Sequence, residues 1–165
     1  MRIFLIGFMG SGKTTAGKEL AVRLNYSFVD LDLYIEKKEK RTISTIFSDE
    51  GEKKFRKIER RVLKEIVKTD NIVVACGGGT PCYSDNMLFM KEKGQTVYLE
   101  MPVGALINRL KNSYGERPLI KGKSKEELRN YISSTLAERE KYYQKAHYTV
   151  NALNLKVDSI LNFFI

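Results

Sequence analysis

The chain has 165 residues, 42% of them hydrophobic and 30% charged, which is the size and make-up of one globular domain. No apolar run approaches the roughly 20 residues of a membrane span, and residues 3–6 are too short for a signal-peptide core, so a cytoplasmic protein is expected. The net charge of +9 suits anionic partners without choosing among nucleotides, carboxylated metabolites and nucleic acids.

Short β-like runs alternate with longer helical ones, which predicts βαβ units around a parallel sheet. The first strand is expected over residues 2–6. Gly7-Phe8-Met9-Gly10-Ser11-Gly12-Lys13-Thr14 follows at once and satisfies the P-loop pattern, with a helix expected over 13–24. In that arrangement backbone N–H groups curl around phosphates, and the helix N-terminus adds its partial positive charge. Lys13 then reaches the β- and γ-phosphates and the Thr14 hydroxyl ligates magnesium.

A second strand over 27–30 ends in Asp30-Leu31-Asp32. Two carboxylates at i and i+2 of an extended segment point the same way, here toward the ligand crevice at the C-terminal edge of the sheet. One is suited to hold magnesium through water, the other to bind or deprotonate an acceptor hydroxyl. Residues 41–68 interrupt the alternation; within them 52–68 carry Phe55, Ile58, Val62, Leu63, Ile66 and Val67 at helical spacing. The basic cluster over 53–61 is interleaved with Glu52 and Glu59, so most of it reads as a solvated helix face.

The third strand, 72–76, runs into Gly77-Gly78-Gly79, where three consecutive glycines imply unusual dihedrals or close backbone approach to a ligand. Cys76 and Cys82, separated by five residues, form neither a redox pair nor a zinc site and read as reduced thiols. A strand over 96–99 and a helix over 103–110 precede residues 112–123. There Gly115, Pro118 and Gly122 mix with Arg117, Lys121 and Lys123, the composition of a lid over phosphate. A helix over 125–144, a strand over 147–150 and a last helix over 155–164 complete the chain. The fold expected is a three-layer α/β P-loop fold, its five-stranded parallel sheet flanked by helices.

A P-loop does not name the acceptor. The Asn-Lys-x-Asp element of switch GTPases is absent, and a motor or helicase needs a longer chain, which leaves a small-molecule kinase. The P-loop, Asp30-Leu31-Asp32, Ile46-Phe47, Gly51-Glu52, Phe55-Arg56 with Glu59, the triple glycine, Arg117-Pro118-Leu119 and Ala137-Glu138-Arg139 together resemble shikimate kinase. Their order and spacing agree over most of the chain.

That resemblance implies ATP-dependent, magnesium-assisted phosphorylation of the shikimate 3-hydroxyl, toward chorismate and the aromatic amino acids. It assigns ATP phosphates to Gly10, Ser11, Gly12, Lys13, Thr14 and Thr15, with Thr14 on magnesium and Asp30 behind the metal through water. Asp32 would bind shikimate hydroxyls and assist deprotonation. Arg56 and Arg139 would hold the shikimate carboxylate, with a backbone contact from Gly78, and Arg117 would close onto the phosphates. Lys13, Asp32 and Arg117 form the catalytic set. Residues 41–68 become the shikimate-binding insertion and 112–123 the lid. A monomer with shikimate and ATP as partners, without nucleic acid or membrane, is expected. The family's arginine after the last strand is missing from Asn151-Ala152-Leu153-Asn154-Leu155, which leaves Arg109 as the adenine candidate. A gluconate kinase is the alternative within the class; a nucleic-acid-binding ATPase is the alternative outside it.

Overall fold

The computed structural model describes residues 1–111 and 120–165. Strands β1 (Arg2–Ile6), β2 (Ser27–Asp30), β3 (Ile72–Ala75), β4 (Gln95–Glu100) and β5 (Tyr148–Asn151) form one parallel sheet in the order β2-β3-β1-β4-β5. Helices α1 (Lys13–Leu24), α2 (Leu31–Glu39), α3 (Ile43–Ile66), α4 (Asn86–Lys93), α5 (Val103–Lys111), α6 (Lys125–Tyr143) and α7 (Asp158–Leu161) surround it. This is the α/β fold class expected from the alternation.

The central strands are apolar on both faces because both faces are covered: Ile3 to Ile6 and Ile72 to Ala75 are all buried. Strands β2 and β5 lie at the edges, and each keeps exposed positions, Ser27 in one and Thr149 in the other. The neighbouring strands β3 and β1 connect in opposite directions, β1 toward β2 at one edge and β3 across β1 to β4. A crevice opens at such a switch point, where the P-loop and the triple glycine both emerge.

Four departures from the expected elements matter. Asp30 is not followed by extended chain: its Oδ1 accepts from the Leu33 N–H at 3.2 Å and caps α2, so Asp32 is helical. The two carboxylates are therefore not aligned by alternation along a strand as expected, because a capping aspartate ahead of helix-forming residues starts a helix. Helix α4 was not foreseen, and the last helix is confined to α7. Gly51, at φ 81° and ψ 169°, breaks α3 into two segments that meet at an angle. Both cysteines are free. Among the described residues no helix is long and apolar enough to cross a membrane.

Candidate active site

The P-loop follows β1 so closely that a Cβ on Gly7 would lie 2.7 Å from the Leu99 carbonyl oxygen of β4. Only glycine permits that approach at φ 145°. Lys13 reaches back along the loop, its ammonium donating to the carbonyls of Gly7 (2.7 Å) and Phe8 (2.8 Å). Ser11, within the loop, is buried. The Thr14 hydroxyl donates to Asp30 Oδ2 at 2.7 Å, so Asp30 ties the start of α1 to the cap of α2.

Capping gives Asp32 its place: α2 begins beside the P-loop and turns the Asp32 side chain against Gly77. Desolvation, seconded by the Glu59 and Asp30 carboxylates, raises the Asp32 pKa from 3.8 to about 6, while Lys13 and Arg56 pull the other way. Asp32 thus changes charge close to neutral pH, as an acceptor of a hydroxyl proton should.

Arg56, read from the sequence amid a mostly solvated face, is only 8% exposed, and Glu59 is fully buried. Arg56 Nη1 donates to Glu59 and Nη2 to Glu52, each at 3.1 Å, and the guanidinium stacks over the Tyr83 ring at 4.0 Å. The other Glu59 oxygen accepts from the Thr80 hydroxyl at 2.7 Å; Asn86 Nδ2 holds the Thr80 carbonyl, and Arg60 holds Asn86 Oδ1, each at 2.9 Å. This chain of bonds fastens α3 to the turn Thr80–Cys82 and to α4. A buried ion pair so supported is costly to break, since either partner alone would be a stranded charge.

Arg139 comes from α6, equally buried, with its guanidinium over the Phe8 ring. The three glycines explain how so many side chains converge. A Cβ at Gly77 would lie 3.0 Å from Asp32 Oδ1, one at Gly78 3.1 Å from Arg139 Nη1, and one at Gly79 2.5 Å from Arg56 Nη2. The close approach expected here is made by three side chains of the protein itself.

Together these groups line a cleft of about 800 Å³ that runs from the P-loop to the two arginines. Gly10, Gly12, Lys13, Thr14, Thr15, Asp30, Asp32, Arg56, Gly78 and Arg139 all face it; Ser11 alone of the described candidates does not. Arg109 borders the phosphate end, donating from Nη1 to the Gly10 carbonyl at 3.0 Å. Arg117 lies outside the described residues, as does most of the expected lid. Glu59, Thr80, Tyr83, Asn86 and Tyr143 received no role from the sequence, though Glu59 stood in the quoted pattern and Tyr143 lies one helical turn beyond Arg139.

The Thr14 hydroxyl and the Asp30 carboxylate are hard oxygen donors side by side. Among the described residues no cluster of three or more histidine, cysteine or acidic side chains could enclose a metal. That donor set fits magnesium, which keeps waters and takes phosphate oxygens rather than a full protein cage.

A P-loop sharing one cleft with a desolvated carboxylate and two buried arginines defines a kinase for a small acceptor bearing a hydroxyl and an anionic group. The family model described as shikimate kinase matches residues 9–164. The shikimate kinase of Parabacteroides distasonis is 46% identical over 158 residues, covering 96% of this chain and 91% of the relative. The crystal structure of shikimate kinase from Bacteroides thetaiotaomicron superposes with a TM-score of 0.92 at 41% identity, covering 99% and 95% of the two chains. The solved structure of shikimate kinase from Acinetobacter baumannii in complex with shikimate gives 0.88 at 36% identity, over 98% and 91%. The chain belongs to the shikimate kinase family.

Proposed function

We propose that the cleft carries out the shikimate kinase reaction with Asp32 as the group that orients and deprotonates the acceptor. The enzyme is an ATP-dependent phosphotransferase acting on an alcohol group of shikimate. The shikimate 3-hydroxyl oxygen forms a bond to the γ-phosphorus as the bond to the β–γ bridging oxygen breaks; ADP leaves, and the hydroxyl proton passes to Asp32. The observation that carries the assignment is the place of Asp32, between Lys13 of the P-loop and Arg56, with its pKa raised to about 6.

Shikimate presents a carboxylate at one end and hydroxyls at the other. Arg56 and Arg139 form the cationic end, and planar guanidinium groups suit a carboxylate through paired charge-assisted bonds. Gly78 adds a backbone contact. Lys13 and the P-loop N–H groups of residues 10–15 hold the phosphates and stabilise charge on the transferred group. Magnesium, held by Thr14 directly and Asp30 through water, would neutralise phosphate charge. Arg117 joins from a lid over 112–123, which excludes water that would otherwise hydrolyse ATP. Residues 41–68 form the shikimate-binding region, and Arg109 is the adenine neighbour. A monomer acting in the cytoplasm, without nucleic-acid or membrane partners, completes the reading.

Release of ADP, followed with shikimate and with gluconate as acceptors, tests the assignment. Turnover of shikimate alone is expected. Turnover of gluconate without shikimate, or ATP hydrolysis stimulated by RNA or DNA and indifferent to shikimate, would overturn it.

A further inference from the structure

We infer that Tyr143 is a positioning residue for the acceptor site: by holding the Gly78 carbonyl it aims the backbone donors of the glycine triplet at shikimate. The inference rests on the reading of Arg139 and Gly78 as contacts of the shikimate carboxylate.

Tyr143 ends α6 four residues after Arg139, so both side chains leave the same face of the helix. The ring is fully buried and packs on Tyr98 of β4, centroids 5.0 Å apart, which leaves the hydroxyl little freedom. That hydroxyl donates to the Gly78 carbonyl oxygen at 2.5 Å. Burial pushes the Tyr143 pKa upward, with Arg139 opposing, so the phenol stays protonated and a donor throughout the physiological range.

The Gly78–Gly79 peptide is trans and planar, so its N–H points opposite to its carbonyl. Gly78 and Gly79 line the cleft and Tyr143 does not. With the carbonyl turned to Tyr143, the Gly79 N–H is turned to the cleft. Among the described residues neither the Gly78 nor the Gly79 N–H has an acceptor, although the carbonyls of Gly77, Gly78 and Gly79 all have donors. Two unfilled donors beside two arginines suit an anionic or hydroxyl-bearing ligand. The Gly77 and Gly79 carbonyls are held by the Thr80 and Cys82 N–H groups, and the peptide between them has the Tyr143 hydroxyl as its own partner. Helix α6 therefore supplies both a direct ligand, Arg139, and the clamp that sets the neighbouring donors.

Tyr143→Phe keeps the ring and removes only the hydroxyl. Loss of one buried hydrogen bond is expected to raise the shikimate KM by about tenfold, with kcat and the ATP KM within about twofold of wild type. Ile132→Val, which trims the buried face of the same helix, serves as the stability control and should lower the thermal midpoint with both KM values unchanged. Arg139→Ala is measured alongside and should raise the shikimate KM further than Tyr143→Phe. An unchanged shikimate KM in Tyr143→Phe, equal rises for both substrates, or the same selective rise in Ile132→Val would overturn the inference. If Arg139→Ala itself leaves the shikimate KM unchanged, the assignment of the carboxylate site fails instead.

Discussion

Replacing Gly79 with alanine should cripple shikimate binding through Arg56, with the nucleotide side untouched. Gly79 has φ −87° and ψ −12°, ordinary for any L residue, so only the added methyl acts. That carbon would lie 2.5 Å from Arg56 Nη2, 2.8 Å from Nη1 and 2.9 Å from Cζ. Non-bonded contact needs about 3.5 Å, so the guanidinium must retreat by about 1 Å. Such a retreat stretches the 3.1 Å bonds to Glu52 and Glu59 out of range and moves Arg56 off the carboxylate site. One charge-assisted bond is worth about 1.5–3 kcal/mol, which sets the rise in shikimate KM at about tenfold or more. Coupled measurement of ADP release, varying each substrate in turn, reads both constants; the ATP KM should stay within about twofold. In an Arg56→Ala background the same methyl should have little further effect, because its target is gone. A wild-type shikimate KM in Gly79→Ala, or an equal effect in both backgrounds, would refute the steric argument.

Other outcomes follow from the same cleft. Asp32→Asn should lower kcat by about 100-fold or more, and the acidic limb of the wild-type pH–rate profile, rising through about 6, should vanish with it. The same residue opposes folding: its folded-state pKa lies above the ordinary 3.8, so stability falls as pH rises from about 4 through about 6, by about 2–3 kcal/mol at most. Calorimetry at pH 7–8 should therefore find Asp32→Asn melting above wild type, with the gap closing below pH 4. Arg139→Ala should weaken shikimate binding by about 2–3 kcal/mol in titration calorimetry and leave ATP binding nearly intact; parallel losses for both ligands would point to a folding defect.

The parts of this site legible in the sequence are those written in local spacing. The P-loop is one, since its glycines, Lys13 and Thr14 serve a single turn between β1 and α1. The strands were legible because buried parallel strands are apolar throughout. Asp30 and Asp32 were found for a faulty reason: both face the cleft, yet through a cap and a helical turn rather than alternation along a strand. Glu59 was hidden in a run of charges, because burial of one acid among solvated neighbours depends on Thr80 arriving from the turn after β3, while its partner Arg56 lies one turn away on α3 itself. Tyr143 carries only the weak signal of lying four residues beyond Arg139. The glycine triplet advertised close approach, but what approaches it comes from α2, α3 and α6, and contacts between distant segments leave no mark in local pattern.

The triplet also bears on how such an enzyme can change its acceptor. Each of its positions is already filled, in space, by a side chain belonging to another helix. Drift at the loop is therefore closed as a route to new selectivity, since any larger residue there displaces Asp32, Arg139 or Arg56 before it meets a ligand. A variant library aimed at a longer or differently charged acceptor should leave residues 77–79 constant. Diversity belongs instead on the helical faces of α2, α3 and α6, where a shortened side chain enlarges the cleft without evicting its neighbours.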